Sequence, residues 1–158
     1  MKRLEASVDV NVPVPTAYNQ WTQFEDFPEF MEGVESVRQV SDATQHWVAE
    51  VAGRRKEWDA RITEQEPDRV IAWEGFGMPA NRGRVSFEPA EDGMGTTVSV
   101  ALDYETEGVV EGVGDALGFL ERRVQGDLDR FKDFIERRGH ETGAWRGEIH
   151  EPPQRSAS

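Results

Sequence analysis

Residues 114–138, GDALGFLERRVQGDLDRFKDFIERR, decide how the rest of the chain is read. At about 100° per residue, Val113, Leu117, Leu120, Val124, Leu128, Phe131 and Ile135 fall within an arc of about 80°. The opposite side carries Glu121, Arg122, Asp129, Lys132, Asp133 and Arg137, as the solvated face of an amphipathic helix should. Asp115 suits the start of such a helix, Arg137 and Arg138 complement its negative end, and Gly139 stops it. Gly118 and Gly126 each weaken it by roughly 1 kcal/mol relative to Ala, and both project away from the stripe. A helix this long and one-sided needs a broad apolar surface to lie on. It is either plain core or the closing side of a cavity, and the stripe alone leaves both open.

The surface it needs is written upstream. Between residues 34 and 104 the chain reads as successive strands with turn signals every 8–12 residues or so, which favours one antiparallel sheet. Trp47, Ala49 and Val51 alternate against His46, Val48 and Glu50, and Trp58, Ala60 and Ile62 against Asp59, Arg61 and Thr63. Val85 and Phe87 share a face in the 82–88 stretch, as do Val98, Val100, Leu102 and Tyr104 further on. Residues 105–114, with Gly108, Gly112 and Gly114, form the break before the helix.

The chain opens with a strand at 4–12, where Leu4, Ala6, Val8, Val10 and Val12 face one way. Pro13 and Pro15 end it, and two short helical pieces follow, the first carrying Tyr18 and Trp21, the second Phe27, Phe30 and Met31. These aromatics either plug the end of the core or wall a pocket. Residues 140–158 read as a tail outside a 1–139 domain, partly disordered at its Pro152-Pro153 end, with Trp145 and Ile149 able to anchor its middle to the body or to a partner.

Length fits one domain, and 37% hydrophobic with 31% charged residues marks a soluble globular chain. No apolar run approaches the ~18 residues that span a bilayer, so no stable membrane insertion is expected. The N-terminus has no apolar core of a signal peptide, which makes the cytoplasm the expected location. A formal net charge of −13 argues against nucleic-acid partners. Cysteine is absent, which excludes disulfides and thiolate chemistry. The three histidines, His46, His140 and His150, lie far apart, and no metal, phosphate-loop or nucleophile-elbow spacing occurs, so neither metal nor cofactor is expected. The oligomeric state stays open.

The order of strand, two short helices, antiparallel strands and one long C-terminal helix is the helix-grip layout. VDVNVPVPTAYNQWTQFEDFPEFMEGVESV resembles the opening of the polyketide cyclase/dehydrase group of the SRPBCC (START-like) superfamily. KEWDARITEQEPDRVIAWEG and NRGRVSFEPAEDGMGTTVSVALDY resemble its central strands, and GDLDRFKDFIE its terminal helix. The resemblance covers about residues 4–138. It implies an α+β helix-grip fold, a curved antiparallel sheet of about six or seven strands wrapped around the last helix. It also implies a hydrophobic small molecule, such as a lipid, quinone or polyketide, held between them. The relatives it points to include lipid carriers as well as aromatase/cyclases, so fold alone does not choose between carriage and catalysis.

Alternation then nominates the pocket. Strand candidates are Trp47, Trp58, Phe87, Val98, Val100 and Tyr104, with Ala49 and Ala60 beside them. The short helices offer Trp21, Phe27, Phe30 and Met31, and the long helix Leu117, Leu120, Val124 and Leu128. Phe76, Gly77 and Met78 read as a flexible mouth. A cyclase or dehydratase would need an acid or base in the pocket. By location the candidates are Arg84, Glu74, Asp103 and Tyr104, each with an alternative reading as a surface, cross-strand or core residue. A third reading is an interaction or stress-related module with a collapsed cavity, in which Trp145 and the tail matter more than the pocket.

Overall fold

Period-two alternation along the middle of the chain builds a single curled antiparallel sheet. The computed structural model describes residues 2–51, 53–77, 81–104 and 116–150, with backbone alone at 2, 51, 77, 81, 104 and 116–119. The strands are β1 (Lys2–Val10), β2 (Val34–Gln39), β3 (Thr44–Val51), β4 (Arg54–Glu66), β5 (Val70–Gly77), β6 (Asn81–Pro89), β7 (Thr96–Tyr104) and a two-residue β8 (Ile149–His150). Their order is β1-β7-β6-β5-β4-β3-β2. β2 to β7 are therefore sequential hairpin neighbours, while β1 leaves the sequence order to pair with β7 and β8 to pair with β4. The chain crosses from the β1 edge to the β2 edge through α1 (Val14–Trp21) and a 3₁₀ helix (Phe24–Glu29), which together close one end of the sheet.

Register fixes which residues face inward. Trp47 lies opposite Trp58, Ile71 opposite Val85, Trp73 opposite Gly83 and Val85 opposite Val100. Bulges between Val34 and Ser36 in β2 and between Ile62 and Glu64 in β4 add the local bend that curls the sheet. Gly83 lies beneath the Trp73 ring: a Cβ there would come within 2.3 Å of the indole, so only glycine lets that ring lie flat on the concave face.

The long helix, α2 (Ala116–Arg138), lies across that face. Gly139, at φ 76°, ends it in the left-handed region that favours glycine. Polar residues flank the stripe and fix the helix laterally. Lys132 Nζ donates to Asp9 O at 2.9 Å, and Glu136 accepts from Asn11 N at 2.8 Å. On the other side Arg130 Nε donates to Phe30 O at 3.0 Å. Gly126 leaves room for that arginine, because a Cβ would lie 3.1 Å from its guanidinium. Among the described residues no helix is long and apolar enough to cross a membrane.

Residues 140–150 pack on the body. Gln20, fully buried in α1, accepts from Thr142 N at 3.0 Å. Asn19 donates to Glu141 at 2.8 Å and accepts from Arg146, which also pairs with Asp68 at 2.8 Å. Trp145 N donates to Thr22 Oγ1 at 3.0 Å. β8 then pairs with β4 at Glu64 and Gln65, beyond the point where β3 ends, and Ile149 packs against the core. Both anchors expected from the sequence, Trp145 and Ile149, thus contact the chain's own body. The 105–114 break and residues 151–158 lie outside the described residues.

Candidate functional site

The core between sheet and α2 is solid at one end and open at the other. At the α1 end, Trp21, Phe27, Phe30 and Phe131 form a chain of tilted and edge-on rings, with centroids 5.2 Å apart for Trp21–Phe27 and 5.3 Å for Phe30–Phe131. Toward the start of α2 the inward residues of β3 and β4 include the small Ala49 and Ala60, and the space they leave is not filled. A cavity of about 230 Å³ results. Its sheet wall includes Trp47, Trp58 and Trp73, its helix wall Leu120, Val124 and Leu128. Trp47 and Trp58 stack across the β3–β4 pair, 5.7 Å apart and 12° from parallel.

Few polar groups reach this space. Glu32, Arg123 and Asp127 stand together on one side of it, and Arg123 donates to Glu32 O at 3.0 Å. Asp127 accepts from Glu32 N at 3.0 Å and from Arg130, both through Oδ1. Burial pushes its carboxyl up to about 6 against the opposing pull of those two donors. Three N–H groups on the lining, Trp21 Nε1, Gln45 Nε2 and Trp47 Nε1, are buried without a hydrogen-bond partner among the described residues.

The structure brings eleven of the nominated residues to the cavity, Ala49 and Ala60 among them. From the short helices come Trp21, Phe27 and Met31; from the sheet Trp47, Trp58 and Val100; from α2 Leu120, Val124 and Leu128. Phe30, Phe87 and Val98 do not line it. Phe30 and Phe87 pack against the rings of Phe131 and Tyr18, and Val98 is fully buried in the closed core. Phe76 is 48% exposed and lies beneath the Arg61 guanidinium on the outer face, so it forms no part of the wall. Met78 and the side chains of Tyr104 and Leu117 lie outside the described residues, and Gly77 is described by its backbone alone.

Three of the four acid–base candidates, Arg84, Glu74 and Asp103, point the other way. Arg84 pairs with Glu64 at 3.3 Å, and Glu74 with Arg61 at 3.6 Å, both on the convex face. Asp103 is gripped through both oxygens by Arg3, at 2.8 and 3.1 Å, which holds its carboxyl below the usual carboxylate range. Strand parity explains the correction: Arg84 and Asp103 alternate with the inward Val85 and Leu102. Asp127, Gln45 and Trp73 are among the lining residues that sequence reasoning missed. Trp73 shares the face of Ile71, and Gln45 that of Trp47; that parity was the available signal. Glu64, Glu66 and His150 bring their ligand atoms within 4.8 Å of one another outside the cavity, but Arg69 and Arg84 already pair with those carboxylates.

Comparison with known proteins agrees with this architecture. A family model described as "Polyketide cyclase / dehydrase and lipid transport" matches residues 10–133. An uncharacterised 17.2 kDa protein of Streptomyces lincolnensis is 52% identical over 150 residues, which cover 94% of this chain and 99% of that one. A crystal structure of a Deinococcus radiodurans protein superposes with a TM-score of 0.68 at 26% identity, over 87% of this chain and 99% of its own. The Zhui aromatase/cyclase of a Streptomyces species superposes at 0.71 with 19% identity, over 91% of this chain and 99% of its own, a likeness of fold. The fold is START-like: a curled seven-stranded half-barrel gripping a long C-terminal helix.

Proposed function

The chain belongs to the polyketide cyclase/dehydrase and lipid transport family, and on that premise we propose that it binds a hydrophobic small molecule between the sheet and α2. The observation that carries this reading is the unfilled apolar cavity of about 230 Å³. Apolar side chains that border unfilled space forgo the contacts that a packed core would give them. A ligand that restores the missing contacts offsets that cost. The volume suits a compact ring system better than a long acyl chain. The formal net charge of −13 favours neither a nucleic-acid partner nor an anionic membrane surface.

Asp127 favours a second reading, aromatase/cyclase or dehydratase chemistry. It is the lining carboxyl poised near neutrality, one oxygen is held by Glu32 and Arg130, and none of its hydrogen bonds uses the other. Such a group can take a proton from carbon beside a ligand carbonyl and return it to a departing hydroxyl. Carriage remains the primary reading because it needs only the cavity.

Native mass spectrometry of the purified chain, followed by organic extraction, tests the binding reading. A co-purifying hydrophobic molecule is expected, and Val124→Trp, which fills the void, should lose it while staying folded. A chain that purifies empty and takes up no fluorescent hydrophobic probe would overturn the proposal.

A further inference from the structure

The cavity comes closest to solvent where the 3₁₀ helix runs into β2. Among the described lining residues Glu32 alone is exposed, and its neighbour Met31 lines the space too. The short segment 31–33 lies between two fixed points. Phe30 before it is 2% exposed and packs on Phe131. Gly33, at φ 86°, turns the chain into β2, and its carbonyl accepts from Glu50 N at 2.7 Å. The fit against α2 is close, since a Cβ on Gly33 would lie 2.5 Å from the Arg123 guanidinium.

What ties this segment to α2 is polar. Glu32 N donates to Asp127 Oδ1 at 3.0 Å, and Arg123 donates to Glu32 O at 3.0 Å. Arg130 reaches the Glu32 carboxylate at 3.5 Å and donates to Phe30 O at 3.0 Å. Arg123, Asp127 and Arg130 follow one another about a turn apart, so one face of the helix makes all of these ties. Bonds of this kind at an exposed edge are exchanged for bonds to water at small net cost, unlike the apolar packing that holds the rest of the wall.

We propose that residues 31–33 are a door into the cavity and that Asp127 is the latch that holds it shut. The inference rests on the cavity being a ligand site and adds how that site opens. Swinging the door out carries Glu32 off the helix and lets water reach the Asp127 carboxyl. The latch therefore responds to protons. With the door shut, burial pushes that carboxyl from 3.8 up to about 6, against the pull of Arg130, Glu32 N and Arg123. The charged groups beside it are Arg130 and Arg123 on its own helix and the Glu32 carboxylate on the door, and none of the lining residues from the sheet titrates. With the door open, the cost of burial is gone and the carboxyl returns toward its ordinary value. The shut state is thus favoured below about pH 4 and loses that advantage as pH rises through about 6, by up to about a hundredfold.

The chain has no cysteine, so Ala60→Cys puts a single thiol on the cavity wall, at a position 3% exposed. Met94→Cys, at a position 82% exposed, supplies a reference rate. Both full-length chains are labelled with the small neutral reagent methyl methanethiosulfonate, and the ratio of the two rates cancels the pH dependence of the thiol itself. That ratio should rise at least about tenfold between about pH 4.5 and pH 7. Adding Asp127→Asn should hold it flat. Arg130→Met, which cuts the ties to Phe30 and to the Glu32 carboxylate, should raise it at every pH. A flat ratio in the chain with Asp127 intact would overturn the latch and leave the cavity reading standing. A rise that survives Asp127→Asn would also overturn the latch, and a ratio unmoved by Arg130→Met would overturn the door. A thiol at position 60 that stays unlabelled at every pH would overturn the door as well, and the binding reading would then stand or fall on the extraction experiment alone.

Discussion

Phe131 and Ile135, in the C-terminal half of α2, are fully buried, with Phe131 wedged among the rings of Trp21 and Phe30. Leu120 and Val124, two to three turns earlier on the same stripe, face the void. The helix has one pattern and two neighbourhoods. What separates them is the size of the residues opposite. Aromatics from α1 and the 3₁₀ helix fill one end of the grip, and Ala49 and Ala60 leave the other open. A helical period therefore reports which side faces in and says nothing of whether anything is there to meet it.

Alanine substitutions should read that difference directly. Phe131→Ala is expected to cost about 3–5 kcal/mol in chemical denaturation, whereas Leu120→Ala should cost about 1–2, because its site already borders unfilled space. Equal costs would mean that the two ends are packed alike in solution and that the contrast fails. Deleting residues 140–158 attacks the closed end from outside. It strips Gln20 and Asn19 of their hydrogen bonds to Thr142, Glu141 and Arg146, and an expected loss of about 2–4 kcal/mol follows from three or four bonds at about 1 kcal/mol each. Unchanged stability after that deletion would show that the closed end needs no brace.

A pH-dependent effect belongs to the open end. Asp127 has its carboxyl raised from 3.8 to about 6 by burial, so between those values the folded chain binds more protons than the unfolded one. Stability should therefore fall as pH rises from about 4 to about 6, with the cost of the buried charge fully present above that window. Asp127→Asn should remove this part of the slope in melts recorded across the window. A slope unchanged by the substitution would place the responsible group elsewhere.

Much of this was legible in the chain. The stripe on residues 114–138 and the alternation of Trp47 and Trp58 led to the grip and to about half of its lining. Parity fixes a face but not a position along the trough, and Phe87 and Val98 sit where the trough is full, as does Phe30 from the short helices. Asp127 escaped notice because it lies about 20° outside the edge of the apolar arc, where a carboxylate looks like any solvated neighbour. Gln45 escaped because its polarity masked its membership of the Trp47 face. The convex placement of Arg84 and Asp103 was available from parity with Val85 and Leu102, and their ion pairs with Glu64 and Arg3 confirm which way they point.

β1 joins the sheet by pairing with β7, and Arg3 meets Asp103 across a separation of 100 residues. During synthesis the first strand must wait for the seventh, and the concave face stays wet until α2 has emerged. At roughly 5–20 residues per second, the stretch from the end of β7 to the end of α2 takes about 2–7 s to make. For that interval the nascent chain displays Trp47, Trp58 and Trp73 on an uncovered sheet. The tryptophans that would greet a ligand in the finished protein are, for those seconds, its chief liability to misassociation.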